Sequence, residues 1–154
     1  MSLLRHRYLL LPLCVAFAAL SVFLVACGKE IGRIALHDEG QGEIVVQATA
    51  GKKLALWTVL DVKYTGHLAA RYDVELLQDG AVVGKVSCDP FDVNVKTSSI
   101  EKNIGDDHSV SWNGKMKCDL TPAKTGPATV RAKLSIAPRP ATLSIRDISL
   151  AVRE

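Results

Sequence analysis

No run of basic residues occurs anywhere in this chain. Its 19 Lys and Arg face 16 Asp and Glu, for a formal net charge of +3, and both signs are interspersed. Nucleic-acid binding needs a clustered positive face, so no nucleic-acid partner is expected. There is no G-x-S-x-G elbow and no Gly-rich phosphate loop, which removes the local signatures of Ser hydrolases and nucleotide-binding enzymes. Neither C-x-x-C nor a His beside Cys88 or Cys118 is present, so a redox or metal pair lacks its usual spacing. Beyond residue 26 no apolar periodicity supports a helix of ten or more residues.

What is present begins with the head of the chain. Arg5, His6 and Arg7 precede Leu9–Val25, an uncharged and almost wholly apolar stretch, the order of an export signal. It ends in Leu24-Val25-Ala26-Cys27. This segment resembles the lipobox of bacterial lipoproteins: an aliphatic residue, a tolerated second one, a small one, then cysteine. The resemblance covers the first 27 residues. It implies that residues 1–26 are removed as a signal peptide and that Cys27 carries fatty acyl chains, making the membrane a partner through lipid. Gly28 follows, where inner-membrane lipoproteins of enteric-like bacteria carry Asp, so the resemblance favours the outer membrane over the inner. Two competing readings of the segment are an uncleaved anchor, since Tyr8–Ala26 is about the ~20 residues a bilayer requires, and a freely secreted protein in which Cys27 is incidental.

Without Arg5 and Arg7 the mature part holds 17 basic and 16 acidic residues in 128. It is close to neutral and long enough for one domain with its own core. Cys14 leaves with the signal, and Cys27 is the lipid site. Cys88 and Cys118, 30 residues apart, then pair by default in an oxidising compartment.

Residues 27–42 read as a lipidated N-terminus and short tether, with Ile34 and Leu36 in a candidate first strand, and residues 43–154 as the folded domain. Period-two alternation dominates this part of the chain. Leu54, Leu56, Leu60, Val62 and Tyr64 share one face, as do Tyr72, Val74 and Leu76, and Val130, Ala132, Leu134 and Ile136. Asp79-Gly80 marks a hairpin turn, leading to a return strand with Val82 and Val86 in phase with Cys88. Ser98–Asp107 reads as a polar loop. Asn113-Gly114 reads as a second hairpin turn, between Ser109–Trp112 and Lys115–Leu120. A phase shift between Ile145 and Ile148 predicts a bulge near Arg146-Asp147. Eight or nine short strands predict an all-β fold, an antiparallel β-sandwich of jelly-roll or Ig-like type with one disulfide. Gly51-Lys52-Lys53-Leu54-Ala55-Leu56-Trp57 is similar to the core of exported jelly-roll and pre-peptidase-type sandwich modules, a short likeness that implies a fold and no function.

Few residues suggest chemistry. His37-Asp38-Glu39 and Asp106-Asp107-His108 are dense enough to consider as metal ligands, but neither sets acids at alternating positions around a Gly, so solvated loops are expected and no metal or other cofactor. Asp61, Asp73 and Glu75 project outward from neighbouring strands. Facing carboxylates are what a glycoside hydrolase requires, and a charged solvent face is the simpler account. Trp57 is out of phase with Leu54, Leu56 and Leu60. It is either covered on both faces or stands outside, where it would stack on a sugar or anchor a partner. Trp112, beside the expected turn, is placed near the disulfide. These residues point to a non-enzymatic envelope lipoprotein whose sandwich binds or scaffolds a protein or a polysaccharide, with Trp57, Asp61, Asp73 and Glu75 as candidate ligand contacts. A lipid-anchored hydrolase and a purely structural, self-associating envelope component are the alternatives.

Overall fold

Alternating apolar residues bury one face of a strand and leave the other to water, so such strands stack in pairs of sheets. The computed structural model describes residues 28–154; the expected signal segment, with Cys14, and Cys27 lie outside the described residues. Nine strands form: β1 (Glu30–Ala35), β2 (Gln41–Ala48), β3 (Leu54–Thr65), β4 (Ala70–Gln78), β5 (Ala81–Cys88), β6 (Val93–Ile104), β7 (Asp107–Leu120), β8 (Gly126–Ile136) and β9 (Thr142–Arg153). They build two antiparallel sheets, a five-stranded one in the order β1-β9-β3-β7-β6 and a four-stranded one in the order β2-β8-β4-β5. The fold is the expected all-β sandwich.

The core lies between the sheets. Leu54, Leu56, Leu60 and Val62 of β3 face Tyr72, Val74 and Leu76 of β4 and Val130, Ala132 and Leu134 of β8, all nearly inaccessible. Each fully buried Leu or Val contributes roughly 1.5–3 kcal/mol of hydrophobic stabilisation. Cys88 at the end of β5 and Cys118 on β7 form the predicted disulfide, with Cα atoms 6.0 Å apart, and join the two sheets. At Asp79-Gly80 both residues take positive φ, 53° and 77°, the conformation of a two-residue hairpin turn. The predicted bulge is also there: Asp61 pairs with Asp147 and Val62 with Ile145, leaving Arg146 unpaired.

Three local expectations are corrected. Asn113-Gly114 is no turn, because β7 runs unbroken through it and pairs Asn113 with Val59 and Gly114 with Thr58. Gly114 is needed there for space: a Cβ would lie 2.9 Å from a methyl of Val93. Ser98–Asp107 is no loop but most of strand β6, and the chain reverses at Gly105-Asp106 instead. Val82 does not point inward with Cys88; a bulge at Val83 shifts the phase of β5 and leaves Val82 44% exposed.

The two ends of the sandwich differ in what they carry. Gly28 lies against Arg153 and Glu154, and Lys29 exchanges two backbone hydrogen bonds with Glu154, at 2.9 and 3.0 Å. The same end holds the β2–β3, β4–β5 and β7–β8 connections. Buried Gln78 ties the β4–β5 turn to the β7–β8 connection, donating from Nε2 to the Lys124 carbonyl and accepting from the Ala123 and Lys124 amides. The opposite end, where β3 finishes and β9 begins, carries the β6–β7 turn.

Candidate functional site

The candidate ligand residues do not converge. Asp73 and Glu75 lie on the outer face of the four-stranded sheet, whereas Asp61 lies on the outer face of the five-stranded one. Glu75 belongs to a row of charges crossing its sheet in register: Glu43, Arg131, Glu75, Lys85. Arg131 bridges Glu43 at 3.2 Å and Glu75 at 3.7 Å, and Lys85 meets Glu75 at 2.6 Å. The Lys85 hydrogen bond holds the Glu75 carboxyl below its ordinary range. Asp73 accepts from Ser87 at 2.7 Å and has Arg71 at 3.4 Å. Opposite charges set directly across strands stabilise a solvated face, and here they satisfy one another.

Trp57 stands outside the core cluster yet is only 3% exposed. In register it is flanked by Ala151 and Lys115, and the Arg153 guanidinium lies over its ring, 4.1 Å from the centroid. No ring face is free to stack on a sugar, so this candidate platform is withdrawn. Trp112 is also displaced from its expected neighbours. It is buried edge-on to Phe91 at 5.6 Å, with the Lys96 ammonium 3.8 Å over its ring. Six residues of strand, about 20 Å, separate it from Cys118.

The acid and histidine clusters are occupied by local contacts. Arg139 donates to both Asp38 carboxylate oxygens at 3.0 Å, which lowers the Asp38 pKa. Glu39 accepts from the Ile136 amide. Asp107 accepts from Thr65 at 2.8 Å, and His108 stacks on Tyr64 with centroids 4.9 Å apart while its Nδ1 meets Asn103 Oδ1 at 2.8 Å. Burial, reinforced by Glu101, pushes the Tyr64 phenol above its ordinary value. Among the described residues no three His, Cys, Asp or Glu come close enough to share a metal ion.

Of the four candidates, Asp61 lines an open groove. The outer face of the five-stranded sheet, at the end remote from Gly28, forms an open groove of about 770 Å³. Three rows of paired residues floor it. Ser144, Lys63, Ser109 and Lys102 form the middle row. Thr142, Thr65, Asp107 and Ile104 lie on the side nearer the β6–β7 turn, and Asp61, Ser111 and Ile100 on the other. The bulged Arg146 reaches Asp61 at 3.8 Å. Among the described residues Lys63 and Lys102 have no carboxylate oxygen within 4.0 Å. At the rim Ile100 and Ile104 are 63% and 79% exposed. The groove therefore offers hydroxyls, two free ammonium groups, the carboxylates of Asp61 and Asp107, which already meet Arg146 and Thr65, and an apolar rim.

Sequence reasoning missed Lys63, Lys102, Ile100 and Ile104 as a group, since residues 98–107 read as a loop. The alternation Ile100, Lys102, Ile104 was the available signal, and surrounding polar residues mask it. No protein-family model matches the chain, and no curated protein matches it.

Proposed function

We propose that this chain is a bacterial lipoprotein, held by acyl chains on Cys27, whose sandwich is a non-catalytic module binding another protein of the cell envelope, with the outer membrane as its expected location. The observation that supports this reading most is the placement of the groove relative to the N-terminus. Only Gly28 and Lys29 separate Cys27 from β1, and Lys29 is already bonded to Glu154. Two residues reach at most ~7 Å, so a lipid on Cys27 brings that end of the domain onto the bilayer. The groove lies toward the far end of β3, roughly 30 Å away at ~3.3 Å per residue, where it faces a partner and not lipid. Two or more acyl chains make such attachment stable.

The hydrolase reading calls on Asp61 together with Asp73 and Glu75, and Asp61 is separated from those two by the thickness of the sandwich. With Trp57 covered, the argument for a polysaccharide ligand loses its aromatic platform, so a protein partner is preferred.

The test has two arms. Cys27→Ser should abolish acyl labelling and leave either an unprocessed precursor or a released domain; unchanged labelling would refute the anchor. A photoreactive residue at position 100 should crosslink an envelope protein in intact cells, while one at position 45, on the other sheet, should not. Equal yields from the two positions would refute the groove as the binding face.

A further inference from the structure

We propose that the free edge of β6, from Ser98 to Ile104, is a strand-addition site for an extended peptide that presents apolar, acidic and apolar side chains in alternation. The inference rests on the binding-module reading and specifies the chemistry of the partner.

The four sheet edges are not equivalent. β1 and β2 lie against each other where the two sheets close on one side. β5 is tied to β7 by the disulfide and interrupted by the bulge at Val83. β6 differs: every residue from Asn94 to Ile104 is exposed. It pairs with β7 on one side, and its other backbone edge is open. Open edges present unpaired amides and carbonyls and are templates for another strand. Register shifts near Asn94 and Thr97 irregularise the first part of β6, while pairing from Ser98 to Ile104 runs without a shift. The usable template is thus the seven residues beside the groove.

Side chains on the groove face of this segment define the complement. Ile100 and Ile104 flank Lys102, and Lys63 lies two strands inward in the same row. A strand added to β6 would set its own alternate residues against these three. Apolar residues would cover Ile100 and Ile104, and a carboxylate would meet Lys102, which among the described residues has no acidic partner. On the other face Glu101 is already paired with Lys96, so nothing there requires a charge from the incoming chain.

A second copy of this protein fits less well. The groove face of β6 carries only Ser98, Ile100, Lys102 and Ile104 in this stretch. Any antiparallel self-pairing of these residues sets Lys102 against a serine, an isoleucine or another lysine. Cross-strand like charges are unfavourable, and an edge lysine is a common guard against self-pairing. The same lysine admits an acidic strand.

The test uses the full-length lipidated chain in lipid nanodiscs, isotopically labelled for amide NMR. Two synthetic peptides, Ser-Thr-Val-Thr-Asp-Thr-Val-Thr-Ser and the same sequence with Lys in place of Asp, are titrated in turn. The expected result is amide shifts confined to β6 and the neighbouring groove, with the Asp peptide binding about fivefold tighter than its Lys counterpart, the scale of one exposed ion pair. Lys102→Glu, a change at an exposed position, should reverse that order, and Lys102→Gln should abolish it. The proposal is overturned if neither peptide moves β6 amides or if the order survives Lys102→Glu. It is also overturned if sedimentation shows a dimer with protected β6 amides, which assigns the edge to a second copy, or if soluble peptidoglycan fragments shift Lys63 and Ser109 while the peptides do not. Acyl labelling of Cys27 is read separately, so a failed anchor and a failed edge give different results. Crosslinking at position 100 without peptide binding would retain the binding module and discard the strand-addition site.

Discussion

Reducing the Cys88–Cys118 bridge should lower stability by nearly 4 kcal/mol. The bridge closes a loop with a sequence separation of 30 residues, and the chain-entropy relation for that length gives roughly 3.7 kcal/mol at 25 °C. With a melting entropy of about 2.1 cal/mol/K per residue over the 127 described residues, this corresponds to a fall in Tm of roughly 14 °C. The bridge also has a local role. β5 is an edge strand that pairs with β4 alone, and its end at Cys88 is held to the other sheet through Cys118. Loss of the bond should therefore loosen the passage from β5 to β6 before the core. The assay is urea unfolding of the oxidised chain, the chain in reductant, and Cys88→Ala/Cys118→Ala. Reductant leaves every side chain in place, so it isolates the crosslink; the double variant adds the loss of two sulfurs from a largely buried site. The reduced chain should also show a larger m-value, because an unlinked denatured chain exposes more surface. A reductant-induced loss below about 1 kcal/mol would refute the loop-entropy argument, and free thiols in material recovered from the native host would refute the bridge as a native feature.

Two further outcomes are expected. Tyr72 is fully buried, with its hydroxyl 3.4 Å from Thr58 Oγ1, and burial pushes its pKa up to about 12. The folded state holds this proton after the unfolded chain has released its own near pH 10, so the contribution is intact below pH 10 and is lost as pH rises through 12. At 1.36 kcal/mol per unit this is roughly 2–3 kcal/mol. Urea midpoints from pH 9 to 12 should fall more steeply for the parent than for Tyr72→Phe, and parallel curves would refute the assignment. Gly114→Ala should cost about 1–3 kcal/mol through overpacking against Val93, measured by thermal melting. A neutral result would show that β6 shifts freely against β7, and Val93→Ala in the same background should restore part of the loss.

The strands most legible in the sequence are those whose two faces meet different surroundings. β3, β4 and β8 alternate because one side of each meets the core, and the extra residue at Arg146 was visible as a break in that rhythm. Asn113-Gly114 misled because a glycine records only a missing side chain. The same residue serves a tight turn and a close approach, and which it serves depends on Val93, about twenty positions away. Trp57 posed a similar problem. Its odd position left two readings, covered on both faces or standing outside, and it is covered: the cover comes from Arg153 on a neighbouring strand, a contact no local window contains.

The candidate site was hidden for a related reason. Periodicity appears where a core imposes it, and β6 is an edge strand with neither face buried along Asn94–Ile104. Freed from that constraint, its sequence is polar and weakly patterned, and such a stretch looks like a loop. The same lack of cover leaves its backbone edge and its isoleucines open to another chain. In a sandwich of this kind the segments that declare the fold are those already engaged on both sides, and a partner must use the remainder. The polar interval between two well-patterned strands is therefore the place to look for an open edge, and the spacing of Ile100, Lys102 and Ile104 within it is the trace such an edge leaves.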